Sequence, residues 1–159
     1  MRRLKKVVGY ILLVILLVPG EAQAQKSSLP DFVFASPDGK KISSKLFDNE
    51  RPLVVIYFEP TCIHCRYQAE WIARKIDQLQ ELDFLFVAWQ PTQDIPAFKE
   101  RYFPQEENIH FGIDSEEQFD DLFGFSQIPT IYIYNEQNQL VKKFKKETKP
   151  ERMLKALDL

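Results

Sequence analysis

Cysteine and histidine are scarce in this chain, and their scarcity excludes several classes of protein. The 159 residues include two cysteines and two histidines, too few for a disulfide-stapled mini-scaffold or a zinc site of four cysteines. Five glycines and ten prolines follow no repeat, which excludes collagen-like and low-complexity sequence. The formal net charge of −2 lacks the basic excess of nucleic-acid-binding proteins, so no nucleic acid is expected among the partners.

The chain also lacks an apolar run long enough to span a bilayer. The stretch from Val7 to Val18 has 12 residues, whereas a membrane-spanning helix needs about 20. It follows a basic segment and precedes Ala22-Gln23-Ala24, which has the small-residue pattern of a signal-peptide cleavage site. Residues 1–24 are therefore predicted to be a signal peptide cleaved after Ala24, and residues 25–159 a single exported domain. An uncleaved N-terminal membrane anchor is the alternative.

What the chain does contain is an alternation of buried strands and amphipathic helices. Leu53–Phe58 and Phe84–Trp89 are unbroken apolar runs, typical of strands buried on both faces of a parallel sheet. Between these runs, apolar side chains recur at helical spacing: Ala69, Ile72, Ile76 and Leu79. The order strand, helix, strand predicts a right-handed parallel crossover. Trp89 is predicted to lie in the core because it ends a buried strand.

Shorter elements are predicted on both sides of this unit. Phe32–Phe34 and Lys41-Ile42 flank a Pro-Asp-Gly turn and are predicted to form a hairpin. Later in the chain, the pattern predicts two short helices, a second hairpin and a closing helix: 95–102, 116–123, 130–144 and 150–157. Four lysines near residue 144 are expected to protect an exposed edge strand from pairing.

The two cysteines lie directly after the first buried strand, where the first long helix is predicted to begin. Unpaired N–H groups and the positive end of the helix dipole favour a thiolate at Cys62. The thiolate is the form that attacks a disulfide, and Cys65, one turn further on, can resolve the mixed disulfide that forms. His64 lies between them and can donate a hydrogen bond or a positive charge to the Cys62 sulfur. This would make the disulfide form more oxidising.

A CxxC pair alone has other interpretations. A zinc site would need about four ligands, and His64 and His110 are the only imidazoles in the chain. A structural disulfide closing so small a loop would stabilise the fold little. Cys62, Cys65 and His110 could instead hold Cu(I), because soft thiolates suit that metal. A Cu(I)-binding or metallochaperone module is therefore the main alternative function.

A second motif, Ile128-Pro129-Thr130, lies immediately before the next predicted strand. It resembles the cis-proline loop of the thioredoxin superfamily. The CxxC pair at the start of a helix after a strand resembles a second motif of the same superfamily. Leu29-Pro30-Asp31-Phe32, followed by Asp38-Gly39-Lys40, resembles the N-terminal hairpin of the TlpA/ResA-like branch, whose members are exported or membrane-anchored. The resemblance covers Leu29 to Leu157, nearly the whole predicted mature chain.

This resemblance implies an α/β, thioredoxin-like fold over residues 25–159. The fold would be a central mixed β-sheet flanked by helices, with an N-terminal β-hairpin and a helical insertion. The implied activity is that of a periplasmic thiol–disulfide oxidoreductase with no cofactor and no metal. Its implied partners are protein thiols or disulfides and a membrane-embedded electron donor or acceptor.

The resemblance also implies roles for individual residues. Cys62 would attack, Cys65 would resolve the mixed disulfide, and Pro129 would follow a cis peptide bond. The backbone of Ile128 would pair with an extended substrate segment, as in other cases of strand addition. Thr61 stands where the family usually has Trp, and it is predicted to contribute to the substrate-binding surface.

Other positions also depart from the family pattern. The buried acid of thioredoxin corresponds to Ile56, and the Glu that is common three residues after the second cysteine is Gln68. Glu59 is therefore the nearest local candidate for proton transfer to the resolving cysteine. The dipeptide Ile63-His64 is closer to the Pro-His of DsbA-type oxidases, so the direction of electron flow stays open. The Thr and Pro of the peroxiredoxin pattern are replaced by Glu59 and Val55, which disfavours a thiol peroxidase.

Overall fold

The computed structural model describes residues 28–47, 51–91, 93–124 and 126–159. The predicted signal peptide, residues 1–24, lies outside this part of the chain. The described residues form seven strands: β1 (Val33–Ala35), β2 (Lys41–Ser43), β3 (Leu53–Phe58), β4 (Asp83–Ala88), β5 (Ile109–Ile113), β6 (Thr130–Tyr134) and β7 (Leu140–Phe144). They also form four α-helices: α1 (Ile63–Ala73), α2 (Asp94–Tyr102), α3 (Phe119–Phe123) and α4 (Pro150–Ala156).

All seven strands belong to one mixed sheet in the order β2-β1-β5-β4-β3-β6-β7. Strand β3 is parallel to β4, and β4 is parallel to β5. On the other side of β3, β6 runs antiparallel to it and forms a hairpin with β7. The predicted strand–helix–strand unit is confirmed, with β3 near the centre of the sheet. The predicted edge position of the lysine-rich strand is also confirmed, because β7 ends the sheet.

The unbroken apolar sequence of β3 is explained by burial on both faces. Val54 and Ile56 pack in one core cluster, which includes Ala69 of α1. Val55, on the opposite face, packs in a second cluster with Phe119 of α3. Because successive side chains of a strand point to opposite faces, a strand between two clusters needs apolar residues at every position.

Two helices are shorter than the apolar pattern predicts. Helix α1 ends at Ala73, and a 3-10 turn over Ile76–Gln78 carries the chain to β4. Helix α3 begins at Phe119 instead of residue 116, because Glu117 has a φ of 53°, outside the right-handed helical region. The carboxylate of Asp114 then accepts the N–H groups at the start of α3.

Strand β5 was not expected from the sequence. It pairs with β4 along its length and with β1 through Ala35 and Ile113. Gly112 makes this arrangement possible, because a Cβ atom there would lie 3.0 Å from Cβ of Phe34. The segment that was expected to be a helical insertion therefore holds a strand between α2 and α3. The N-terminal hairpin β1–β2 is confirmed, with bounds close to those predicted.

None of the helices in the described ranges is long and apolar enough to cross a membrane.

Candidate active site at the start of helix α1

The cysteine pair lies at the junction between β3 and α1. Cys62 is the N-cap of α1 and has extended backbone angles, φ −68° and ψ 125°. Its N–H donates to the carbonyl of Glu59 at 3.1 Å, and its own carbonyl accepts the N–H of Arg66 at 3.0 Å. The Arg66 side chain also donates from Nε to the Pro60 carbonyl at 2.9 Å. The predicted start of the helix at the cysteine pair is therefore confirmed.

The two thiols have different surroundings. Both are free, but Cys62 is half-buried whereas Cys65 is 1% exposed. The backbone N–H of Glu59 points to Sγ of Cys65 at 3.5 Å. Burial raises the pKa of the Cys65 thiol well above its usual range, and the neighbouring Cys62 and the charge of Glu59 raise it further. The N–H of Glu59 opposes this shift without cancelling it.

Glu59 and Thr61 interact on the turn before the helix. Oε1 of Glu59 accepts the backbone N–H of Thr61 at 3.4 Å and its hydroxyl at 3.3 Å. Glu59 is half-buried and Thr61 is exposed. The structure thus brings both of these predicted site residues to the turn that carries Cys62.

The Ile128-Pro129 motif lies at the same end of the sheet as the cysteines. The peptide bond between Ile128 and Pro129 is cis. Thr130, the first residue of β6, pairs with Tyr57 of β3. Because the two strands are antiparallel, Pro129 continues the pairing toward the end of β3, just before the turn that leads to the cysteines. Ile128 packs against the same core cluster as Cys62.

Trp89 lies outside the core, contrary to prediction. It is 46% exposed because β4 ends at Ala88 and the chain leaves the sheet at that point. Trp89, Ile128 and Tyr57 line an open cleft, together with carboxylates from the segment after β5 and from α3: Asp114, Glu117 and Asp120. The cleft therefore combines an exposed aromatic side chain, the loop before β6 and negative charge.

His64 pairs with a residue that the sequence analysis did not identify. Its Nδ1 atom lies 3.0 Å from Oε1 of Glu147, in the connection between β7 and α4. The two residues are 83 positions apart in the chain, so no local pattern relates them.

Gln68 is buried one turn after Cys65 and binds the same segment between β7 and α4. Its Oε1 atom accepts the backbone N–H of Thr148 at 2.7 Å. Nε2 of Gln68 is also buried and has no hydrogen-bond partner among the described residues. The sequence marks this position as a departure from the family pattern, but it gives no sign that Gln68 contacts Thr148.

His110 lies away from the cysteines. It pairs with Leu85 in the middle of β4, and Leu85 pairs in turn with Val55 of β3. Its ring packs edge-on against Phe47, with 5.3 Å between centroids, and burial lowers its pKa. The structure therefore does not bring His110 to the thiols as a third copper ligand. Among the described residues, no three His, Cys, Asp or Glu side chains are grouped so that they could hold a metal ion.

Comparison with known proteins assigns the family. Residues 24–158 match the model of the Redoxin family. The chain belongs to the Redoxin family. No curated protein matches it significantly. Redoxin membership and the thioredoxin-like fold together support thiol–disulfide oxidoreductase activity.

Solved structures share the fold of this Redoxin chain at low sequence identity. A secreted disulfide oxidoreductase of Mycobacterium tuberculosis, homologous to E. coli DsbE, is 14% identical, with a TM-score of 0.66 over 80% of this chain and 96% of that one. StoA from Bacillus subtilis is 14% identical, with a TM-score of 0.62 over 82% and 98%. The peroxidoxin BcpB from M. tuberculosis is 12% identical, with a TM-score of 0.68 over 82% and 94%. The predicted thioredoxin-like fold is confirmed.

Proposed function

We propose that this chain is an exported thiol–disulfide oxidoreductase that exchanges a Cys62–Cys65 dithiol or disulfide with protein substrates. The observation that carries the proposal is the contrast between the two sulfurs. Cys62 is half-buried at the N-cap of α1, while Cys65 is enclosed and its pKa is raised by burial. An accessible attacking thiol beside a protected resolving thiol is the arrangement that two-step disulfide exchange requires.

In the reducing direction, the thiolate of Cys62 attacks one sulfur of a substrate disulfide. A mixed disulfide forms, and the first substrate thiolate leaves and takes up a proton. Cys65 then loses its proton and attacks Sγ of Cys62. The second substrate thiol is released and the Cys62–Cys65 disulfide remains, so two electrons have passed to the substrate. Oxidation of a substrate dithiol is the same sequence in reverse.

Cys65 needs a proton acceptor in the second step because burial raises its pKa. Glu59 is the proposed acceptor. Its backbone N–H already points to Sγ of Cys65, and its charge is close enough to influence the pKa of that thiol. In the resting structure the Glu59 carboxylate is held by Thr61. Rotation of the Glu59 side chain would release it for proton transfer.

The surface around Cys62 is proposed to bind an extended segment of the substrate. Thr61 is exposed beside the attacking cysteine, and the loop with Ile128 and Pro129 precedes β6 at the same end of the sheet. Backbone pairing at Ile128 would hold the segment by main-chain hydrogen bonds, which recognise an extended shape with little dependence on sequence. The exposed ring of Trp89 extends this surface.

Export to the periplasm is proposed from the N-terminal sequence. The basic segment, the apolar stretch and the Ala-Gln-Ala site support a signal peptide cleaved after Ala24. Each turnover leaves the cysteine pair in the opposite redox state, so a second partner must restore it. A membrane-embedded electron donor or acceptor is proposed for that role.

A redox titration and an insulin-reduction assay test the proposal. The wild-type protein is expected to exchange disulfides, and Cys62→Ser is expected to abolish exchange. A reduction potential of about −270 mV would assign a reductase, and one of about −120 mV an oxidase. Full activity of Cys62→Ser would overturn the assignment. Tight Cu(I) binding without disulfide exchange would support the metallochaperone instead.

A further inference from the structure

The connection between β7 and α4 contacts α1 along one face of the helix. Glu147 pairs with His64, and the N–H of Thr148 donates to Gln68. Further along, Lys149 lies over the Trp71 ring at 3.7 Å. Glu151 of α4 then forms an ion pair with Lys75, just after the end of α1, at 3.7 Å. The three partners within α1, His64, Gln68 and Trp71, are spaced by four and three residues, which places them on one face of the helix.

The contacts of the two residues that follow Glu147 hold its backbone in place. Thr148, the next residue, is buried, and its backbone N–H donates to Oε1 of the buried Gln68 side chain at 2.7 Å. Lys149, one residue further, lies over the Trp71 ring. The Glu147 side chain is itself 22% exposed. Its carboxylate therefore meets His64 from a backbone already held in place, so little conformational entropy is lost in forming the contact.

From this contact we infer that Glu147 is a positioning residue for His64, which it holds in the tautomer that carries the proton on Nδ1. An ionised carboxylate can only accept hydrogen bonds, so the ring nitrogen facing it must donate. The neutral ring then has its lone pair on Nε2. Nε2 becomes the atom that can take up a proton, on a residue two positions from Cys62 in the first turn of α1.

This role rests on the proposed function of the cysteine pair. Nε2 of His64 takes the proton from Sγ of Cys62, and the resulting thiolate attacks the substrate disulfide. The substrate thiolate that leaves then accepts this proton from Nε2. Glu147 touches neither sulfur nor substrate. It acts through the imidazole, in the way that a carboxylate orients a histidine base in other enzymes.

Imidazole nitrogen NMR tests the tautomer directly. The ¹⁵N shifts of the reduced protein, recorded at a pH where the imidazoles are neutral, distinguish protonated from unprotonated ring nitrogens. A His64→Gln variant assigns the two histidines. We expect His64 of the wild type to carry its proton on Nδ1, and Glu147→Ala to shift it to Nε2, the tautomer that an unconstrained side chain favours. Glu151→Ala removes an ion pair just beyond the end of α1 and should leave the His64 signal unchanged. A wild-type ring protonated on Nε2 would overturn the inference.

A double-mutant cycle tests the effect on the reaction. The rate at which the reduced protein attacks a small symmetrical aromatic disulfide is expected to fall about threefold to tenfold in Glu147→Ala. Glu151→Ala should retain the wild-type rate. In a His64→Ala background, Glu147→Ala is expected to have no further effect, because its partner is absent. An equal loss of rate with and without His64 would show a structural effect and overturn the positioning role. If the wild type does not react, the proposed function fails, while the NMR result still decides the tautomer.

Discussion

The backbone N–H of Glu59 points directly to Sγ of Cys65 at 3.5 Å. Glu59 follows the last residue of β3, so the contact joins the end of a central strand to the first turn of α1. The Cys65 sulfur is therefore positioned by the backbone of the sheet as well as by its own helix. Because the contact uses a main-chain group, it does not depend on which side chain occupies position 59.

Alkylation should distinguish the two cysteines in the reduced protein. Cys62 is half-buried at a helix N-cap, whereas Cys65 is 1% exposed and burial raises its pKa. We expect iodoacetamide to modify Cys62→Ser, which retains Cys65, at least about tenfold more slowly than Cys65→Ser at neutral pH. Mass spectrometry of the time course measures both rates. In urea, where both chains are unfolded, the rates should converge. Equal rates in the native proteins would contradict the burial of Cys65.

The stability of the reduced protein should fall as the pH rises above about 9. The pKa of Cys65 is raised from an ordinary value of 9.0, so the unfolded chain loses this proton first. The stabilising contribution is complete below that value and decreases by about 1.4 kcal/mol per pH unit above it. Urea unfolding between about pH 8 and pH 10 measures the slope. Tyr57 and Tyr132, whose pKa values are raised from 10.0 to about 12, begin to contribute in the same direction at the upper end of this range.

Cys65→Ala is the control for this pH dependence. The variant lacks the shifted thiol, so its free energy of unfolding should change less over the same range. The difference between the two proteins isolates the contribution of Cys65, because the other groups are common to both. Parallel curves for wild type and variant would show that the folded and unfolded states release this proton at the same pH.

Trp89→Ala should weaken binding of protein substrates. The exposed ring lines the cleft beside Ile128, where an extended substrate segment is proposed to lie. Truncation of an exposed interface tryptophan is expected to raise KM about fivefold to thirtyfold in an insulin-reduction assay. The rate with a small symmetrical disulfide should fall by far less, because a small molecule covers little of the cleft. Leu46→Ala, which truncates a 52% exposed apolar side chain elsewhere, should leave KM unchanged.

Asp114→Ala should destabilise the protein. The two carboxylate oxygens of Asp114 accept the N–H groups of Gln118 and Phe119, at 2.9 and 3.0 Å. Their loss is expected to lower the free energy of unfolding by about 1–2 kcal/mol, measured by urea denaturation. Asp114→Asn keeps one acceptor oxygen and should lose less. If Asp114→Ala were as stable as the wild type, the two hydrogen bonds would contribute nothing measurable to stability.

The parts of the fold that the sequence predicts are those with a strong local signal. Leu53–Phe58 and Thr130–Tyr134 are apolar, rich in β-branched and aromatic residues, and bounded by polar or proline-containing turns. The first is a strand with the predicted bounds, and the second is the first arm of the hairpin predicted over 130–144. The start of α1 follows from the position of Cys62 after a buried strand. The family resemblance then supplied the arrangement of these elements in one sheet.

The parts that could not be predicted depend on contacts between distant positions. Strand β5 contains His110 and Gly112, which weaken its apolar pattern, and it exists because β4 pairs with it and Phe34 packs over the glycine. The partners of His64 and Gln68 are 83 and 80 positions away. Trp89 was misplaced because an apolar run does not reveal where a strand leaves the sheet.

The central position of β3 has a consequence for local opening of the fold. Edge hairpins open more readily than central strands, because fewer hydrogen bonds and less apolar burial hold them. In this sheet β2 and β7 are the edges, while β3 is paired on both sides and buried between two clusters. The turn that carries Cys62 is therefore attached to the part of the sheet whose backbone amide hydrogens are expected to exchange most slowly with solvent. Transient fraying of either margin leaves the spacing of the two sulfurs intact, so the dithiol can remain competent while the rest of the sheet fluctuates.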